Sequence, residues 1–321
     1  MERRWTKKMA MLVCLVLLVL VVMPTSLAAQ TKTGKKITIG LVTKALSNPF
    51  WGYMKEEFEK VCLANGVEGI YLAPTKANNL EEQTRLVEDL LQRKVDGIVL
   101  VPVDSDGIVP VVKRANALGI PISLANSKSF GGQVITLAAI ENYDAMIIMA
   151  EYMMNKLNGK GKIIILEGPA GAQTNTDRLK ALRDTLKKYP DVTVLASQTA
   201  DFQRAKGMQI MENLAQTYSS FDAVISMNDE MALGAIEALD SAKRLGKVLI
   251  SGFDASDAAL QAVYDGKMTT TKDQNPRKQA GDATQAFIDY INGKKVPDRI
   301  FVTGIAVTKD NIMNYASRIK K

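Results

Sequence analysis

From residue 36 onward, short runs rich in Val, Ile and Leu alternate with longer stretches in which apolar residues recur every three or four positions. The runs at 36–42, 69–73, 96–102, 121–124 and 134–140 read as strands, and the periodicity predicts helices over 50–64 and 79–92. A second series starts at 162–166 and continues with strands at 192–195, 223–226 and 247–253, separated by helices over 178–188, 203–215 and 229–242. Met54, Phe58, Val61 and Cys62 form one helical stripe, Leu80, Val87, Leu90 and Leu91 a second, and Leu179, Leu182, Leu186 and Tyr189 a third. Strands that are apolar throughout must be covered on both faces, so this alternation calls for parallel sheets with helices on either side. The expected fold class is α/β: two doubly wound parallel-sheet lobes of about 130 residues each, an ordinary domain size. No Ser/Gly-rich linker separates the series, which predicts short crossovers between the lobes.

Ligands of such sheets sit beyond the carboxyl ends of the strands, where the topology switches. The residues there are Asn48-Pro49-Phe50-Trp51, Asp104-Ser105-Asp106, Ala125-Asn126-Ser127-Lys128, Gly168-Pro169-Ala170-Gly171, Phe202, Asn228-Asp229-Glu230, Asp254 and Gln274. They are amides, carboxylates and aromatic rings, with no organised nucleophile–base pair, so no catalytic residue is assigned. The segment 166–171 has neither G-x-G-x-x-G nor G-x-x-x-x-G-K-[ST], and Pro169 lacks an N–H, so it reads as a strand-to-helix turn and not a phosphate loop. Pro49 opens a helix, and Phe50 and Trp51 either join the core or offer a face to a flat ring. Asn228 is an N-cap candidate followed by acidic residues that suit a helix N-terminus, and Asp254 is a candidate cap for the helix after Gly252-Phe253.

Composition narrows the chemistry. The 321 residues are 47% hydrophobic and 23% charged, which is globular, and they include no His and two Cys, Cys14 and Cys62. His-based zinc sites, four-cysteine clusters, Ser-His-Asp triads and Cys-His dyads are thereby excluded, and neither a metal nor a cofactor is implied. The N-terminal segment adds an address. Arg3, Arg4, Lys7 and Lys8 precede an uncharged apolar run at 9–23, followed by Pro24 and Ser26-Leu27-Ala28-Ala29, the pattern of a signal peptide over residues 1–29 cleaved after Ala28 or Ala29. Fifteen helical residues span about 22 Å, short of a bilayer core of roughly 30 Å. Cys14 lies inside the apolar run and is not read as a lipid-attachment site. Cleavage leaves Cys62 without an intramolecular partner and Trp51 as the remaining tryptophan. It also lowers the formal charge from +7 to about +4, and the remaining charges are mixed in sign, as on a solvated surface and unlike a nucleic-acid stripe.

At these residues the chain resembles the bacterial periplasmic sugar-binding proteins of the ribose-binding type, the solute receptors of ABC importers. The resemblance runs through Ser47-Asn48-Pro49-Phe50-Trp51, Pro102-Val103-Asp104-Ser105-Asp106, Asn116-Ala117-Leu118-Gly119-Ile120-Pro121 and the stretch 195–202. It continues through 228–235, Gly252-Phe253-Asp254 and Asp273-Gln274-Asn275-Pro276. It implies two lobes joined by three crossovers with the ligand cleft between them: residues 36–140 plus 275–303 in one lobe, 141–274 plus 304–321 in the other. The pocket it implies takes Asn48, Phe50 and Trp51 from the first lobe and Arg178, Phe202, Asn228, Asp254 and Gln274 from the second lobe and hinge. A polyol loses water from every hydroxyl on burial, about 1–3 kcal/mol for each group left unpaired, and amides, carboxylates and a guanidinium meet that demand. Aromatic faces would cover its C–H surface. One departure stands out: the family's usual Asp-Arg pair after the fourth strand is here Ala125-Asn126. Ribose is therefore not expected, and Asn126, with Ser127 or Lys128, takes over that wall for another pentose, a hexose, a linear polyol, a cyclitol or a similar small neutral molecule.

The resemblance implies a non-catalytic periplasmic receptor that closes by hinge motion on a small neutral sugar-like ligand and delivers it to an ABC permease in the inner membrane. Presentation to a chemoreceptor is an alternative partner. A lactose-type transcriptional regulator would need an N-terminal helix-turn-helix where this chain carries its apolar leader, so nucleic acid is not an expected partner. A carboxylate-pair glycosidase would need Asp254 at working distance from Asp104 or Asp229.

Overall fold

The computed structural model describes residues 36–320. The expected signal peptide over residues 1–29, with Cys14 and both candidate cleavage points, lies outside the described residues. In the first lobe, strands β1 (Thr38–Val42), β2 (Glu68–Leu72), β3 (Gly97–Leu100), β4 (Ile122–Ala125) and β5 (Leu137–Ala139) alternate with helices α1 (Pro49–Ala64), α2 (Leu80–Gln92) and α3 (Val109–Ala117). The second lobe opens with α4 (Asn142–Lys156) and continues β6 (Lys160–Glu167), α5 (Gln173–Leu186), β7 (Asp191–Thr199), α6 (Arg204–Thr217), β8 (Ala223–Ser226), α7 (Asp229–Ser241), β9 (Leu249–Ser251), α8 (Asp257–Tyr264) and β10 (Thr270–Lys272). Helix α9 (Pro276–Ile291) and β11 (Arg299–Phe301) return to the first lobe, and β12 (Ala306–Thr308) to the second.

Each lobe is built on a six-stranded sheet, ordered β11-β5-β4-β3-β1-β2 and β12-β10-β9-β8-β6-β7. All pairings are parallel except β10 with β12. The chain passes between the sheets three times, after β5, after β10 and after β11, so both sheets point their carboxyl ends toward the same crossovers. Helices α1 and α9 cover one face of the first sheet through Phe50, Met54, Phe58, Ala283 and Phe287, while α2 and α3 cover the other through Val87, Leu90, Val111 and Val112. Cys62 is buried in the first of these layers, in line with its stripe, although Val61 is only half-buried.

One polar side chain ties strand ends together. Gln83, fully buried on α2, donates to the carbonyls of Thr43 and Val101 at 2.9 Å each and accepts from the Val103 amide at 3.0 Å. Backbone groups leaving a sheet otherwise need water, and Gln83 supplies that role inside the protein.

Several elements differ from the reading of the sequence. The strand expected over 134–140 is only Leu137–Ala139, and Val134 is exposed. Strand β7 runs to Thr199, well beyond 192–195, because Ser197, Gln198 and Thr199 pair with β6 at the sheet edge despite their polarity. Helix α5 begins at Gln173, five residues before Arg178, with Thr174 and Asn175 buried. The turn 168–171 does join strand to helix, and Asn175 secures it by accepting the Gly168 amide at 2.7 Å.

Candidate functional site

The carboxyl ends of both sheets open onto one cavity of about 310 Å³ between the lobes. That is at the lower end of ligand pockets, roughly 300–1,000 Å³, and suits a molecule of monosaccharide size. Asn48, Phe50, Trp51, Asn126, Arg178, Phe202, Asn228, Asp254 and Gln274 all line it. Lys44, Asn78, Thr174, Arg204 and Glu230 line it as well.

On the first lobe, Asn48 caps α1 by accepting the Phe50 amide at 2.9 Å, with Pro49 in the first turn. This cap aims the next two side chains at the cavity. The rings of Phe50 and Trp51 meet edge to face, with centroids 4.8 Å apart and planes at 83°. Asn126 has φ 63°, a left-handed conformation that Asn tolerates better than most residues. Its amide nitrogen reaches Gln274 Oε1 at 3.3 Å and Gln279 Oε1 at 3.2 Å. Ser127 stands behind it, while Lys128 does not reach the cavity lining.

On the second lobe, Arg178 is 3% exposed and stacks over the Phe253 ring at 3.8 Å. Its Nε donates to Asn142 Oδ1 at 2.9 Å and its Nη1 to the Met227 carbonyl at 2.6 Å, so protein acceptors take part of the donor fork. Burial lowers its pKa to about 10, against the opposing pull of Asp254. Phe202 sits at φ 59° with its ring on Gly168, where a Cβ would come within 2.3 Å of ring carbons, so only glycine leaves room for the ring. Asn228 caps α7 through Met231 N at 3.0 Å and donates to the Phe202 carbonyl at 3.3 Å.

Asp254 accepts from Gln274 Nε2, and burial, reinforced by the nearby Asp229 charge, holds its pKa well above the carboxylate range. Asp254 does not cap α8, contrary to expectation. Ser256 does, two residues later, accepting the Ala259 amide, because Asp254 is still held in a bridge to Asp273 and Ala255 is left-handed at φ 51°. The two partners considered for a glycosidase pair are both turned to other groups. Asp229 lies buried behind the cavity wall, accepting from Ser256 N at 2.8 Å and Thr271 Oγ1 at 2.5 Å, and Asp104 is engaged by the amides of Asp106 and Gly107 at 3.0 and 2.7 Å. Neither lines the cavity.

Sequence reading missed Lys44, Asn78, Thr174 and Arg204 among the lining residues, and Lys44 is the most telling of them. It follows β1 directly and is 2% exposed, with Nζ donating to Ser127 Oγ at 2.6 Å and lying 5.7 Å from the centre of the Trp51 ring. Burial, with the Arg178 charge as a smaller cause, lowers its pKa to about 7. The strand-end rule covers its position. A lysine between Thr43 and Ala45 nonetheless carries no pattern that announces burial.

The comparisons agree with this architecture. The family model described as a periplasmic binding protein domain matches residues 39–295. The ribose import binding protein RbsB of Bacillus subtilis (strain 168) is 36% identical over 266 residues, covering 83% of this chain and 85% of that protein. The D-allose-binding periplasmic protein of Escherichia coli (strain K12) is 31% identical over 283 residues, covering 84% and 91%. Among solved structures, an ABC transporter solute binding protein from Bacillus halodurans C-125 with bound myo-inositol superposes with a TM-score of 0.83 at 30% identity, over 90% of this chain and all of that one. Two parallel-sheet lobes, three crossovers and a polar, ring-walled cavity between them thus coincide with similarity over most of the length, and the chain belongs to the periplasmic binding protein family.

Proposed function

We propose that this protein is an extracytoplasmic solute receptor that encloses a small neutral polyhydroxylated molecule, a sugar, polyol or cyclitol, and passes it unchanged to an ABC import permease. The observation that carries the reading is the convergence on one cavity of side chains from both lobes: amides at Asn48, Asn126, Asn228 and Gln274, a guanidinium at Arg178, a carboxylate at Asp254 and rings at Phe50, Trp51 and Phe202. Each hydroxyl of a polyol both donates and accepts, and this set supplies both partners while the rings cover carbon. Residues 36–140 with 275–303 and residues 141–274 with 304–321 act as the two bodies, hinging at the crossovers. The leader over residues 1–29 directs the chain to the periplasm and is removed.

A thermal-shift screen of the mature protein against sugars, pentitols, hexitols and cyclitols, followed by calorimetry, tests the reading, since a ligand that binds only the native state raises the melting temperature. The expected result is one tight ligand recovered intact. Turnover of a glycoside in the same incubation would replace the receptor with an enzyme.

A further inference from the structure

The polar groups around the cavity form a hydrogen-bond chain that runs in one direction. Lys44 Nζ donates to Ser127 Oγ at 2.6 Å, Ser127 donates to Asn126 Oδ1 at 3.1 Å, Asn126 donates to Gln274 Oε1 at 3.3 Å, and Gln274 donates to Asp254. The chain starts on the Lys44 amine of the first lobe and ends on the Asp254 carboxyl group of the second. It leaves the cavity polarised, with a donor head on one wall and an acceptor on the other. Among the described residues, Lys44 has that single hydrogen-bond partner and no ion pair, although an ammonium carries three donors. The first-lobe residues lining the cavity include no carboxylate. A buried ammonium with two N–H bonds still to satisfy requires acceptors, and the cavity beside it is where a solute would bring them.

We propose that Lys44 is a specificity-determining residue: it selects polyols that bring an uncharged oxygen acceptor to the first-lobe wall and rejects analogues carrying an ammonium in place of a hydroxyl. This deepens the receptor reading and rests on it. An acceptor oxygen replaces the water that Lys44 loses on closure and keeps the proton on Nζ. A ligand ammonium in so small a cavity either stands against that charge or drives the proton off, and both cost affinity. Rejection of this kind works through the wrong solute's mismatch, not through stronger contacts to the right one.

Calorimetry with matched pairs tests it: myo-inositol with an aminodeoxy-inositol, and D-allose, D-ribose and D-glucose each with its aminodeoxy analogue. The wild-type protein is expected to bind at least one neutral member and its amine at least about 30-fold more weakly, like charges a few ångströms apart being worth that much in a partly screened site. Lys44→Met, close to isosteric and uncharged, narrows that ratio at least about 10-fold, and Lys44→Arg preserves it. Should Lys44→Met fail to fold, Lys44→Gln serves as the same comparison. Equal binding of amine and neutral partner by the wild type, or an unchanged ratio in the uncharged variant, overturns the Lys44 assignment alone. Binding of no neutral member overturns the polyol reading and this assignment with it.

Discussion

The lobes touch away from the ligand cavity where the turn after β3 meets the turn after β6, and Gly171 is the residue that permits it. The Ser105 amide donates to the Gly171 carbonyl at 3.0 Å. A Cβ added at Gly171 would lie 1.8 Å from Asp104 Oδ2 and 2.6 Å from its Cγ. That carboxylate is not free to swing away, because Oδ1 holds the amides of Asp106 and Gly107. Gly171→Ala therefore leaves each lobe as it is and opposes their approach. Overpacking a tight contact costs roughly 1–3 kcal/mol, and where closure is coupled to binding the same amount weakens affinity about 5- to 150-fold. Calorimetry with the solute found by the screen measures this, while the melting temperature of the ligand-free variant stays near that of the wild type. The Asp104 Cβ is 3.4 Å from the added carbon, an ordinary contact, so Asp104→Ala removes the obstruction. The double variant is then expected to bind within a few-fold of Asp104→Ala alone, a coupling read directly by a double-mutant cycle. Wild-type affinity in Gly171→Ala, or a loss that persists undiminished in the double variant, refutes the reasoning.

Trp51 emission is expected to change when the solute binds, and Asp254→Ala to abolish the response with the circular dichroism of the fold retained; full occupancy by calorimetry with unchanged emission would remove Trp51 from the pocket. Gln83→Leu leaves three buried backbone groups unpaired and is expected to lower stability by about 3 kcal/mol in urea unfolding, an unaltered midpoint being the contrary result. Burial raises the Asp229 pKa from 3.8 to about 6, so between those values the folded chain holds a proton that the unfolded chain has released, and stability falls as pH rises through that window. Asp229→Asn does not titrate there, so the stability of the wild type relative to the variant should decline by on the order of 2 kcal/mol between pH 4 and pH 7; a difference that does not move with pH counts against a raised Asp229.

Burial on two faces leaves a strand no choice but to be apolar throughout, which is why Gly97–Leu100 and Ala223–Ser226 stood out along the chain. Burial on one face or at an edge leaves less trace. Strand β7 is the outermost strand of its sheet and is half-exposed along its length, so its last three residues are polar and only their pairing with β6 makes them strand. The apolar stripe of helix α5 begins at Leu179, while the helix itself begins at Gln173 with Gln173, Thr174 and Asn175 buried. Thr174 faces the cavity and Asn175 holds the Gly168 turn, and no local periodicity records that.

The same division runs through the site. Caps and strand-end positions are local, so Asn228 was legible as a helix cap and Pro49 as the opening of a helix, and the resemblance to sugar receptors drew Asn48, Arg178, Phe202, Asp254 and Gln274 to the same cleft. What a side chain meets across the cleft is not local. Ser256 displaced Asp254 as the cap of α8 because Asp254 is still bridged to Asp273 and Ala255 turns through a left-handed φ of 51° before the helix starts. Lys44 became a buried cation because residues 83 positions away in the chain fold back to offer it Ser127. Sequence by itself determined the alternation of strand and helix, the two-lobed class and the chemical types gathered at the strand ends, since burial and capping act within a few residues. Only the tertiary structure decided the direction of the hydrogen-bond chain from Lys44 to Asp254 and the fit of Gly171 against Asp104, since both are set by distances between segments that no stretch of sequence contains.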